Sequence, residues 1–357
     1  MMGDPAAFAA LPDGRRIFIC RDIEIHRAKK QARADVVVGP LAYEPEGGLS
    51  ADRATQTAQA LAECLVREGI DCVRAGRSLG LVYAEHLRLR GIAVEYDPEL
   101  GVVDRRSKDE QELEALRAAQ AMTERAIELA CTTIAGARAG ADGVLVADGE
   151  PLTAERIRSL TDKFLLEQGY TTPDTIVAGG AQGADCHNRG EGDLRTGQPV
   201  IIDIFPQSKA THYNGDCTRT VVHGDVPDEI VRMHAAVVAG KKAGVEASRV
   251  GVTGGDAYEA CMAVIREHGW DRALLPEDPA ADFCSMQHGL GHGVGLEVHE
   301  APLLDEGGAE LVDGDVVTIE PGLYHATLGG IRVEDMLVVR ADGCENFNRL
   351  HEGLTWK

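Results

Sequence analysis

The chain has 357 residues, 44% hydrophobic and 26% charged, with a net charge of −22 at pH 7; this is enough for two domains and a sizeable core without cross-links. So acidic a surface repels phosphate backbones and excludes nucleic acid as a partner, and there is no run of about 18 apolar residues to cross a membrane as a helix. Nine scattered cysteines without a CxxC pair argue against a disulfide framework and for a reducing, cytoplasmic compartment, and the opening MMGDPAAFAALPDGRR lacks a signal-peptide pattern.

In chain order, RIFIC at 16–20 and ADVVVG at 34–39 are predicted buried strands. Residues 51–69 predict an amphipathic helix ending near Gly69. DCVRA at 71–75 and GIAVEY at 91–96 are further strands, with a helix at 78–89 between them. Together these give a small three-layer α/β unit with a mixed or parallel sheet. Cys20 and Cys64 read as buried apolar residues. From residue 106 to about 135 a long helix is expected, with Leu113, Leu116, Ala119, Met122, Ala126 and Leu129 at helical spacing. The domain boundary is therefore placed at 105/106, leaving 1–105 as an α/β domain and 106–357 as a larger α+β domain. The latter carries a helix at 153–168 capped by Thr153 and strands at 199–205 and 217–222. Helices follow at 228–247 and 254–268, then strands at 314–324 and 329–343.

Carboxylates inside apolar strands call for an explanation, because an ionised carboxylate is costly to bury unpaired. Asp203 sits in VIIDIF, Glu320 in VVTIEPG and Glu334 in IRVEDMLVV, while Asp216 lies in NGDCTRT. Each alone could be a satisfied ion pair, a wet strand face or a turn residue. Their coincidence with HGLGHGVGLEVHE, which holds His288, His292 and His299 among Gly289, Gly291, Gly293 and Gly295, points elsewhere. Glycines allow backbone to pass close to a metal or ligand. Imidazole plus several carboxylates suits Mn, Fe, Co or Zn, and two metals would neutralise the buried charge.

These residues resemble the creatinase/aminopeptidase, or pita-bread, family, and within it the Xaa-Pro peptidase branch that includes aminopeptidase P and prolidase. The resemblance implies a creatinase-like N-terminal α/β domain and a pita-bread catalytic domain. It implies that two divalent ions, manganese first with Zn, Co or Fe as alternatives, are held by Asp203, Asp216, His292, Glu320 and Glu334. It also implies catalytic roles for Glu320 as general base, His299 at the oxyanion and His187 near the amine, and substrate contact by His288. Arg332 is expected at the substrate and, with Thr218, to fix a carboxylate's orientation. Cys186 and Cys217 are assigned no role.

One departure stands out. The family usually has Asp-x-Gly at the first ligand, whereas here Ile204 and Phe205 follow Asp203, and the interval from Asp203 to Asp216 is 13 residues, two more than usual. Phe205 and His212 are expected to reshape the substrate pocket. The expected activity is a dinuclear metallopeptidase cleaving Xaa-Pro bonds, as an aminopeptidase or dipeptidase, acting as a homodimer on short peptides. A metal-dependent amidohydrolase on a small nitrogen-containing metabolite and a non-catalytic binding module are the alternatives.

Overall fold

The computed structural model describes residues 4–171 and 174–357. The chain divides into two compact units, Met1–Val103 and Asp104–Lys357.

In the first unit the strands Ala7–Ala10, Arg16–Ile19 and Val36–Val38 form one sheet, antiparallel then parallel. The pair Cys72–Ala75 and Ala93–Tyr96 is parallel and separate. The sheet is thus mixed but split in two. The helix Arg53–Arg67 starts where the Asp52 side chain accepts from the Thr55 amide, an N-cap that satisfies an otherwise orphan donor. It lays Leu61, Cys64 and Leu65 on Ile17, Ile19, Leu87 and Ile92. Cys20 and Cys64 are fully buried. A strand at Ala7–Ala10 and a helix at Ile25–Gln31 had no expectation attached: AFAA lacks the β-branched residues that mark the neighbouring strands, and the helix is too short to impose a period.

In the second unit the long helix runs Glu110–Ala135 rather than from 106. Asp109 and Glu112 form a reciprocal capping box there, so the start is set by the cap and not by the charged run ahead of it. Its buried stripe includes Thr123, Ile127, Cys131 and Ile134, while Leu129 is only partly covered. This helix and Ala154–Glu167 pack on the antiparallel sheet Ile176–Gly179, Pro199–Ile204, Cys217–Val222. The helices Asp228–Ala247 and Gly254–Glu267 share a second core with strands of the two later sheets. Those sheets are ordered Glu300–Leu304, Gly291–Gly293, Val316–Ile319, Asp335–Arg340, Gly343–Asn346, and Cys284–Ser285, Gly322–His325, Gly329–Arg332.

The two expected strands at 314–324 and 329–343 are each broken. Val316–Ile319 stops before Glu320, and Gly329–Arg332 stops before Glu334, after which the chain continues in the other sheet. The break lets the chain change sheets at the very positions where a buried carboxylate leaves the ladder.

Among the described residues, no helix is long and apolar enough to cross a membrane.

Candidate metal centre

Ten of the residues singled out from sequence line one cavity of about 650 Å³, His187, Asp203, Phe205, Asp216, His288, His292, His299, Glu320, Arg332 and Glu334, while Thr218 and His212 do not. The supporting strands explain why. Asp203 and Thr218 face each other in register on neighbouring strands. His292 lies opposite Leu303 at the bulged end of its strand. Gly291 has no room for a side chain, since a Cβ there would collide with the Thr318 carbonyl. That close approach lets the Thr318 hydroxyl accept from the His292 amide at 3.1 Å and donate to Glu320 Oε1 at 3.4 Å. Gly291→Ala is therefore expected to displace both side chains and to weaken any divalent-cation uptake at this site at least about tenfold, the scale of a lost outer contact; metal content after dialysis against graded Mn checks it.

Asp216, His292 and Glu334 offer ligand atoms that all lie within 4.8 Å of one another. His292 Nδ1 bonds the Gly293 carbonyl at 3.1 Å, which puts the proton on Nδ1 and leaves the Nε2 lone pair facing inward. That lone pair stands 3.7 Å from Asp216 Oδ2 and 3.4 Å from Glu320 Oε1. Burial, then His299, pushes the His292 imidazole down to about 3, so it is neutral at physiological pH. Three acceptors thus converge with no donor between them. Burial, then neighbouring carboxylates, raises Asp216 and Glu334 well above the usual carboxylate range. Burial pushes Glu320 up to about 7, with Arg332 opposing and Asp203 adding to the rise. Asp203 Oδ1 is buried without a hydrogen-bond partner. Converging acceptor atoms, one orphaned oxygen and a neutral imidazole make a donor set that suits a divalent cation.

The carboxylates are braced from behind. Arg332, 3% exposed, donates Nη2 to Asp203 Oδ2 at 2.6 Å, Nη1 to the Tyr324 hydroxyl at 2.9 Å and to the Cys186 carbonyl, and Nε to Thr218 Oγ1. Thr218 in turn donates to Glu334 Oε2 at 2.7 Å. The guanidinium's bonds go to one acid, two hydroxyls and a carbonyl, so Arg332 braces Asp203 directly and Glu334 through Thr218 and has no unbonded nitrogen for the expected substrate contact. Gln120 grips the Asp216 backbone at both its amide and its carbonyl. Gln120, Thr318 and Tyr324 carried no sequence expectation, because a lone polar residue on a helix or strand gives no sign of a partner far along the chain.

The histidines differ. His288 Nε2 pairs with the Tyr324 hydroxyl at 2.6 Å and Nδ1 with the Gly289 carbonyl; burial, then Arg332, pushes it down to about 4. His299 is exposed at the cavity wall, its ring edge-on to His292 at 4.2 Å. Desolvation and the nearby His187 lower it. The loop after Asp203 is held by Asn214 on the Gly295 carbonyl and Gln207 on the Leu296 carbonyl. Phe205 lines the cavity, but His212 does not; it takes a φ of +65° in an exposed turn, so the extra residues loop outward.

Residues 114–341 match the profile of metallopeptidase family M24. The chain belongs to that family. Over 222 residues it is 32% identical to an Xaa-Pro dipeptidase of Pyrococcus furiosus, covering 60% of each chain. It is 30% identical over 243 residues to the probable dipeptidase PepE of Mycobacterium tuberculosis, covering 68% of this chain and 58% of that one. The chain thus covers about 60% of the length of these curated relatives. In fold, it is similar over 99% of its length to an Xaa-Pro dipeptidase from Bacillus anthracis, with a TM-score of 0.82, 24% identity and 90% of that chain covered. An X-Pro aminopeptidase from Thermotoga maritima gives a TM-score of 0.76 at 25% identity, over 96% of this chain and 87% of that one. The M24 chain has the pita-bread fold, with an α/β first unit.

Proposed function

We propose that this M24 chain hydrolyses Xaa-Pro bonds in short peptides with two divalent metal ions, manganese first among Mn, Zn, Co and Fe. The observation that carries the reading is the convergence of Asp216, His292, Glu334 and Glu320 around a partnerless space, with Asp203 beside them. These five residues would hold the ions. Once bound, the ions polarise the scissile carbonyl and lower the pKa of water.

The chain's own groups do the rest. Glu320, oriented by the Thr318 hydroxyl at 3.4 Å, takes the proton from the attacking water and returns it to the leaving nitrogen. His299, neutral and exposed at the wall, donates to the carbonyl oxygen as charge builds there. His187, exposed in the cavity lining, positions the amine end. Ile176, Phe205, Val298 and Leu303 supply an apolar wall for a proline ring.

The domain division at 105/106, a homodimer and a cytoplasmic location complete the proposal. Nine free cysteines support the last.

Dialysis against chelator is expected to abolish cleavage of Ala-Pro and Ala-Pro-Ala, and Mn to restore it, with matched Ala-Ala peptides untouched. Metal-restored turnover of amides lacking proline, without turnover of either proline peptide, would move the chain to amidohydrolase chemistry. A protein that takes up no metal would be a binding module.

A further inference from the structure

Six acids line the cavity, Asp174, Asp203, Asp216, Asp305, Glu320 and Glu334, against two cations among the described residues, Arg189 and Arg332. A dipeptide brings a free carboxylate into this space within one residue of the scissile bond, and a carboxylate among acids requires a cation to meet it. Arg332 is not available, since each of its nitrogens is already bonded to protein. Asp305 is neutralised from behind by Arg272, at 2.6 Å, and Arg272 does not line the cavity.

Arg189 differs in each respect. Its side chain is 57% exposed and, among the described residues, its one ion pair is with Asp174, itself 61% exposed, at 3.0 Å. Such a surface pair is weak, about 0–1 kcal/mol, and exchanges readily. Its backbone is nonetheless fixed. The Arg189 carbonyl accepts from the Val177 amide and from the Arg158 guanidinium. The Asn188 side chain accepts from the Gly190 amide at 2.9 Å. Gly190 sits at a φ of +73°, where a Cβ would overlap the Val177 carbonyl, so the turn is specific to glycine. An exposed guanidinium on a fixed stem, in the lining of the same cavity, suits bidentate capture of a carboxylate.

We propose that Arg189 is the specificity residue that reads the free carboxylate of a dipeptide, exchanging Asp174 for the substrate. This rests on the Xaa-Pro reading above. It makes dipeptides, rather than carboxyl-blocked or longer peptides, the preferred substrate class.

The test is steady-state hydrolysis of Ala-Pro and Ala-Pro-NH2 by the Mn-loaded full chain and its R189Q, R189K and D174N variants. R189Q is expected to raise the KM for Ala-Pro at least about tenfold, the scale of a lost charge-assisted bond, with kcat changing far less. The ratio of kcat/KM for Ala-Pro over Ala-Pro-NH2 falls by a similar factor. R189K recovers part of that ratio, and D174N, freeing the guanidinium, lowers the KM for Ala-Pro. A ratio that R189Q leaves unmoved, with both substrates still cleaved, overturns the assignment of Arg189 alone. A wild-type protein that takes up Mn and cleaves neither compound overturns the Xaa-Pro reading and this one with it.

Discussion

Glu320→Gln at saturating Mn lowers kcat on Ala-Pro about a thousandfold, the scale of a lost general base, while the far-ultraviolet spectrum and melting cooperativity persist. Gln keeps the shape and the Thr318 hydroxyl contact now made at 3.4 Å, but has no lone-pair site of the basicity that proton transfer needs. The metal dependence must be measured alongside, because Glu320 Oε1 stands 3.4 Å from His292 Nε2 and the amide binds cations less well. Wild-type turnover in that variant at full metal occupancy would remove Glu320 from the chemistry.

The largest stability effect is expected one residue away from a proposed ligand. Asp335, 2% exposed, receives Arg219 Nη2 at 2.8 Å, Lys241 Nζ at 2.5 Å and Asn346 Nδ2 at 2.8 Å. Burial opposes ionisation, yet Arg219 and Lys241 hold its carboxyl below the ordinary range. Asp335→Asn leaves the buried Arg219 without its carboxylate and Lys241 with Glu352 alone, and is expected to cost about 3–5 kcal/mol. In a unit of this size that lowers Tm by roughly 10 °C. Arg219 also donates to the Glu334 backbone carbonyl, so the variant should bind Mn less tightly as well. The sign with pH follows from the depressed folded pKa. The stabilisation is full above the unfolded value of about 3.9 and is lost as pH falls through the folded one. The gap in Tm between wild type and Asp335→Asn therefore narrows below about pH 4, and calorimetry across that range checks both size and sign. A variant melting within a degree of wild type at neutral pH would show that the cluster contributes nothing net.

Glu334 and Asp335 also mark where the sequence stops being readable. Both are acids inside IRVEDMLVV, and nothing local distinguishes them. Position decides: Glu334 leaves the ladder where the chain changes sheets and enters the cavity, while Asp335 begins the next strand and points at Arg219 and Lys241. Arg219 in CTRTVV was an equally anomalous buried charge, visible in the sequence but without a visible partner 116 residues away. The long helices were legible because Leu113, Leu116 and Ala119 or Ile157 and Leu165 repeat at their own period. The short strands at Ala7–Ala10 and Ile176–Gly179 were not: AFAA carries no β-branched residue and IVAG runs straight into glycines, whereas RIFI and VVV, no longer, are marked by theirs. The acids and histidines of the cavity stood out because apolar or glycine-rich contexts made them costly or odd. Gln120, Thr318 and Tyr324 stay silent in sequence because their work is done on residues from other elements.

The strand that carries His292 offers its neighbours no freedom. A Cβ at Gly291 would meet the Thr318 carbonyl, and one at Gly293 the Ala301 carbonyl. For a lineage, this means that the histidine can be exchanged by one mutation but its flanks cannot drift: every single-step path through positions 291 and 293 passes through a misfitting backbone. In a saturation library the segment would show as two barren columns beside one selectable column. Chimeras of related chains should therefore tolerate crossovers in the outward loop at 206–213 far better than inside 289–295.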